Sequence, residues 1–167
     1  VQALQMGGVP GFLVHPLDDA DCGGRVLVDI HGGALIAGSG TTCAAMASGV
    51  ALSLGARVYA IDYRMPPWPP YPAALDDCLA AYRHVLELHG AERVIVRGGS
   101  AGGNLAAALC LRARDEGLPL PRALILPTPE LDLTESGDTF VANHGVDVVL
   151  PYSLMPINRL YANGHPL

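Results

Sequence analysis

The chain has 167 residues, a length that suits one domain with a sizeable core. Half of the residues are hydrophobic and 16% are charged, a balance that excludes a disordered chain. A net charge of −6, with arginine as the sole strongly basic residue type, argues against nucleic acid or an anionic membrane surface as a partner.

Residues 11–16 read as a short edge strand ended by Pro16, with His15 at the surface. A polar turn over 18–24 leads into the apolar strand 25–30, which runs directly into His31-Gly32-Gly33-Ala34. Thr41 or Thr42 is expected to cap a helix over 43–54, closed by Gly55, and a further strand follows over 57–63. Residues 64–72 carry five prolines with Trp68 and Tyr71, so an extended, stiff loop is expected. Both rings are expected to pack against the next helix, over 73–88, with His89 in its last turn and Gly90 after it. The β-branched run Val94-Ile95-Val96 is a strand covered on both faces, and an alanine- and leucine-rich helix extends from 101 to 116. A last strand is expected over 122–126, before Pro127 and Pro129, and a last helix around 153–161. Alternation of strands and helices at this spacing predicts an α/β fold, a mostly parallel sheet with helices on both faces.

The four cysteines, Cys22, Cys43, Cys78 and Cys110, form no C-x-x-C pair and lie in apolar or helical surroundings. Reduced thiols, and with them a cytoplasmic location, are the expectation. No basic segment precedes an apolar core at the N-terminus, so no secretory signal is read there. The longest apolar stretch, 44–56, is too short and too interrupted to span a bilayer.

Two motifs carry chemistry. Gly98-Gly99-Ser100-Ala101-Gly102-Gly103 joins a strand to a helix, and Gly98-x-Ser100-x-Gly102 is the nucleophile-elbow pattern. A strained turn lifts the serine hydroxyl above the sheet, and only tiny neighbours let the backbone pass so closely. Phosphate-binding alternatives fail, because a dinucleotide fingerprint needs glycine where Ser100 stands and a P-loop needs lysine where Asn104 stands. His31-Gly32-Gly33 is the second motif. A tetrahedral oxyanion needs N–H donors already aimed at it, and adjacent glycines let the backbone turn such groups outward. This assigns Gly32, Gly33 and Ala101 as oxyanion-hole donors, Ser100 as nucleophile and His31 as the residue that orients the loop.

Together with Asp62-Tyr63-Arg64 and Tyr71-Pro72-Ala73-Ala74-Leu75-Asp76-Asp77, these motifs resemble the hormone-sensitive-lipase-like branch of the α/β-hydrolases, including its bacterial esterases. The resemblance covers nearly the whole chain. It implies carboxylic-ester hydrolysis through an acyl-serine at Ser100, on small to medium acyl esters, with no metal or cofactor. Lactone or amide hydrolysis is the alternative on the same site, and a non-catalytic module binding carbonyl ligands is the alternative outside the enzymes. Two departures stand out: Ala34 replaces the third glycine of the His-Gly-Gly-Gly run, and Gly99 replaces the aspartate common before the serine.

The serine needs a histidine base held by an acid, in the chain order serine, acid, histidine. In the family both partners come after two strands later than any read here, so the triad aspartate and histidine are expected beyond residue 167. The chain is then one incomplete hydrolase domain over 1–167, lacking C-terminal strands and inactive or impaired by itself. Asp132, His144 and His165 are the remaining surrogates, and loop positions facing solvent are the expectation for them. The strand 122–126 becomes an apolar sheet edge, prone to self-association. Pro66-Pro67-Trp68-Pro69 as a polyproline ligand for a partner is disfavoured by its place between strand and helix.

Overall fold

The computed structural model describes residues 1–16 and 24–167. The turn expected over 18–24 therefore lies, but for Gly24, outside the described residues, as does Cys22. Six strands form one sheet in the order β1-β2-β4-β3-β5-β6. Strands β3 (Val26–Ile30), β4 (Arg57–Ile61), β5 (Val94–Gly98) and β6 (Ala123–Ile125) are mutually parallel. Strands β1 (Gln2–Met6) and β2 (Val9–Val14) add an antiparallel hairpin on the β4 side.

That hairpin corrects the expectation for the N-terminus. The strand read over 11–16 is β2, displaced to Val9–Val14, and it is internal because β1 covers its outer edge. The sequence Gln-Ala-Leu-Gln-Met carries little strand signal by itself. What sets it is the Gly7-Gly8 pair, both with φ above zero (58° and 88°), the two-residue turn whose twist matches antiparallel strands. His15 is exposed, just past the strand end.

Side chains alternate across the sheet with period two. Val26, Val28 and Ile30 of β3, Tyr59 and Ile61 of β4, and Val94 and Val96 of β5 face α2 (Ala73–His89) and α3 (Ala101–Asp115). Leu27, Val58, Ala60 and Ile95 face α1 (Thr41–Leu54) on the other side. Each helix meets the sheet through a stripe at helical spacing: Cys43, Ala47, Val50 and Ala51 in α1, Cys78, Ala81, Tyr82 and Val85 in α2, Leu105, Ala106, Leu109 and Ala113 in α3. Full burial of each leucine or valine in these stripes contributes about 1.5–3 kcal/mol.

Local departures have local causes. Helix α1 starts at Thr41 rather than Cys43, and neither threonine caps it. Gly40 takes the cap position with φ 62°, and its N–H donates to both carboxylate oxygens of Asp62 (3.0 and 3.1 Å). Tyr63 lies past the end of β4, released from the ladder to serve the site at the end of the sheet. The proline-rich segment runs through successive turns, with cis bonds before Pro67, Pro69 and Pro72, instead of one extended stretch. Tyr71 packs edge-on against Tyr161 (centroids 5.7 Å apart), whereas Trp68 is 85% exposed and does not pack on the helix. His89 bonds the Tyr59 hydroxyl at 2.8 Å in addition to sitting in the last turn of α2. The loosely patterned region contains a short helix the sequence does not announce, α4 (Asp138–Ala142), before α5 (Met155–Ala162).

Candidate active site

Strands β3 and β5 are parallel neighbours with Ile30 in register with Gly98. Their succeeding loops must therefore emerge at the same end of the sheet, and residues 31–33 meet residues 99–101 there. Ser100 occupies the turn between β5 and α3 with φ 53° and ψ −125°, a region that residues with a side chain rarely adopt. The tightness is written in its neighbours. A Cβ on Gly98 would lie 2.1 Å from the Gly102 carbonyl oxygen, and one on Gly102 would lie 2.1 Å from that of Ile30. The Ser100 N–H donates to the Pro127 carbonyl (3.3 Å) and its own carbonyl accepts from the Glu130 N–H (3.1 Å), so the segment after β6 brackets the turn. Ser100 itself is solvent-exposed.

Gly32 abuts this turn. A Cβ there would stand 2.9 Å from the Gly99 carbonyl oxygen and 3.2 Å from Ser100 Cβ. Among the described residues the N–H groups of Gly32 and Gly33 have no hydrogen-bond acceptor. The Ala101 N–H opens α3 and belongs to the first turn, which a helix leaves without intrahelical partners. Gly33 (φ 124°) uses a conformation open to glycine, and Ala34, where the resembling family has glycine, still adopts φ 52°. The loop closes on itself through Ile36 and Ala37 N–H groups donating to the Gly33 carbonyl (3.1 and 2.9 Å).

His31 is held from several directions. Its Nδ1 donates to the Gly32 carbonyl at 2.8 Å, its ring stacks on Tyr63 (4.2 Å, 14°), and the Tyr63 hydroxyl donates to its backbone carbonyl at 2.8 Å. Burial pushes the imidazole pKa below its ordinary value, so the ring is neutral. The neighbouring Arg64 forks onto the buried carboxylate of Asp77, with Nε and NH2 contacts of 2.9 and 2.7 Å, and pins the chain to α2. Asp62, Tyr63 and Arg64 thus each hold a different part of the site's frame.

Two features escape the sequence reading. Asp29 and Arg97, opposed in the register of β3 and β5, form a 2.6 Å ion pair directly below the two loops. Burial raises the Asp29 pKa more than Arg97 lowers it. The signal was a charge in each of two apolar strands, but only pairing shows that they meet. Glu130, beside Ser100 through the backbone, has a carboxyl raised by burial. Ser100, Gly32, Arg97, Met46, Val50 and Thr128 help to line a cleft of about 470 Å³.

The surrogate triad residues are not assembled. Asp132 is exposed, its carboxylate accepting from the N–H and hydroxyl groups of Thr134 and Ser136, which hold its pKa well below the usual range. His144 lines a different cavity, beside Phe140 and Tyr152, and His165 rests edge-on against Tyr71. None of the three lines the Ser100 cleft. Among the described residues one donor set, His31, Cys43 and Asp62, is compact enough for a metal ion. No helix among them is long and apolar enough to cross a membrane.

Comparison with known proteins bears on the fold and the family. The model of the family described as alpha/beta hydrolase fold matches residues 27–166. An acetyl-hydrolase of Streptomyces hygroscopicus is 39% identical over 129 residues, 76% of this chain and 43% of that protein. Mouse hormone-sensitive lipase is 32% identical over 136 residues, 78% of this chain and 18% of the lipase. Among solved structures, esterase E25 superposes with a TM-score of 0.93 at 35% identity, covering 99% of this chain and 52% of E25. An esterase from the bacterial hormone-sensitive lipase family gives 0.89 at 34%, covering 99% and 56%. This chain thus spans about half the length of these solved relatives and less than half of the curated ones. With the family model spanning most of its length and relatives of the hormone-sensitive lipase group matching at 32–34% identity, the chain belongs to the α/β-hydrolase fold family, in its hormone-sensitive-lipase-like branch.

Proposed function

We propose that the protein to which this chain belongs is a carboxylic-ester hydrolase that works through an acyl-serine at Ser100. The observation that supports the reading is the close approach of Gly32 to the turn that carries the exposed Ser100. The hydroxyl oxygen attacks the ester carbonyl while a base takes its proton. The N–H groups of Gly32, Gly33 and Ala101 receive the negative charge of the tetrahedral oxygen, helped by the positive end of α3. The proton passes to the alcohol oxygen as the C–O bond breaks, and water then releases the acid from the acyl-serine. The acid and base would come from the part of the relatives' length that this chain does not span. Residues 1–167 are then part of a single hydrolase domain.

A relative named as an acetyl-hydrolase favours small acyl groups, and the cleft of about 470 Å³ suits small to medium ones. Free thiols at Cys43, Cys78 and Cys110 favour the cytoplasm. The experiment is fluorophosphonate labelling of a protein of the relatives' full length, with Ser100→Ala alongside. Labelling confined to Ser100 and abolished by the substitution is expected; labelling that survives it contradicts the assignment.

A further inference from the structure

We propose that His31, Cys43 and Asp62 bind one zinc-type divalent cation behind the glycine loop, at a site separate from Ser100. The proposal does not depend on Ser100 being a nucleophile. Three elements converge here: the end of β3, the first turn of α1 and the residue after β4. A ring nitrogen of His31, the Cys43 Sγ and a carboxylate oxygen of Asp62 lie within 4.8 Å of one another. Metal–donor bonds of about 2.0–2.3 Å place tetrahedral donors about 3.3–3.8 Å apart. Closing the site therefore needs movements of about an ångström, and the half-buried Asp62 carboxylate, which accepts from the Gly40 N–H through both oxygens, makes them by giving up one of those two contacts.

The second observation is an unused lone pair. His31 is 3% exposed and among the described residues its Nε2 has no hydrogen-bond partner, although unmet polar atoms in an interior cost about 1–3 kcal/mol. Its Nδ1 already donates to the Gly32 carbonyl. That is the outer contact that fixes the tautomer of a metal-bound imidazole and leaves Nε2 as the ligand atom. Cys43 Sγ makes a long 3.6 Å contact with the Ile61 carbonyl.

Charge favours the same conclusion. One thiolate and one carboxylate neutralise a divalent cation, so a filled site buries no net charge. Sulfur with imidazole selects zinc, cobalt or cadmium over magnesium or calcium. On binding, the S–H bond breaks, the proton leaves to solvent and the sulfur–metal bond forms, with no electron transferred. Because the sulfur binds as thiolate and gives up its proton, binding tightens as pH rises. Asp62 also lines an open cleft of about 490 Å³ with Ser39 and Ile36, which gives an ion a way in. Occupancy would tether the glycine loop to α1 and β4.

The test is titration of the 167-residue chain with Co2+. One ion per chain is expected, with a thiolate-to-cobalt charge-transfer band that Zn2+ abolishes by displacement. Cys43→Ser removes the band, and Cys110→Ser, which alters a half-buried thiol elsewhere, keeps it. Absence of the band, or its survival in Cys43→Ser, overturns the proposal, as does its loss in Cys110→Ser. If Cys43→Ser does not fold, cadmium NMR of the unaltered chain reads the ligand set directly. A single resonance displaced as one sulfur with nitrogen and oxygen requires supports the site, and an all-oxygen shift or no bound resonance contradicts it.

Discussion

A methyl group at Gly102 would sit 2.1 Å from the carbonyl oxygen of Ile30 and 2.5 Å from that of His31, both of them backbone atoms that cannot rotate away. Gly102→Ala is therefore expected to cost at least about 1–3 kcal/mol, read as a lower urea midpoint and Tm. Gly32→Ala poses a different problem. Its methyl meets the Gly99 carbonyl oxygen at 2.9 Å and Ser100 Cβ at 3.2 Å, a milder clash that displaces the oxyanion donors. In the full-length protein we expect fluorophosphonate labelling to slow by about a hundredfold or more with a smaller loss of Tm than Gly102→Ala, and unchanged labelling would contradict the placement of Gly32. These positions were legible in the sequence because small residues cluster within each short motif, although the backbone they face comes from the other motif. Asp29 with Arg97 and His31 with Tyr63 were not, because strand register and loop closure bring them together from 68 and 32 residues apart.

Among the elements, β6 offers the clearest test. Among the described residues it ends the sheet and pairs only with β5, leaving Leu124 and Ile125 exposed at 38% and 41%. An apolar edge with open backbone groups invites a further strand. The 167-residue chain is thus expected to self-associate in the micromolar range by sedimentation, and Leu124→Lys to shift it toward monomer. A concentration-independent monomer would contradict this. The parallel strands and the three long helices were legible because their apolar spacing is strong. The first strand was not, since Gln2 and Gln5 dilute its pattern and a Gly-Gly turn decides the pairing. The start of α1 was misplaced for a related reason: Gly40 takes the cap position, held by Asp62 22 residues away, and leaves the adjacent threonines unused.

For the whole molecule, buried His31 and half-buried His89 contribute a dependence of stability on pH. His31 and His89 both have pKa values lowered from 6.5, chiefly by burial. Below about pH 6.5 the unfolded chain therefore binds protons that the folded chain refuses, and stability falls until the folded pKa values are reached. Asp29, with its pKa raised from 3.8, has the opposite sign: it lowers stability as pH rises through its own window. We expect the urea midpoint to drop between pH 7 and 5, with the drop reduced in His31→Gln; a His31 ring titrating at or above 6.5 by NMR would contradict the buried neutral imidazole. The central claim is spatial: the hydroxyl of residue 100 and the amides of residues 32, 33 and 101 share one small volume. A crystal structure of the full-length protein carrying a fluorophosphonate adduct tests it most directly. The account predicts phosphorus bonded to Ser100 Oγ and a phosphoryl oxygen about 2.7–3.1 Å from the Gly32, Gly33 and Ala101 nitrogens; a phosphoryl oxygen turned away from all three amides, or an adduct on another residue, would contradict it.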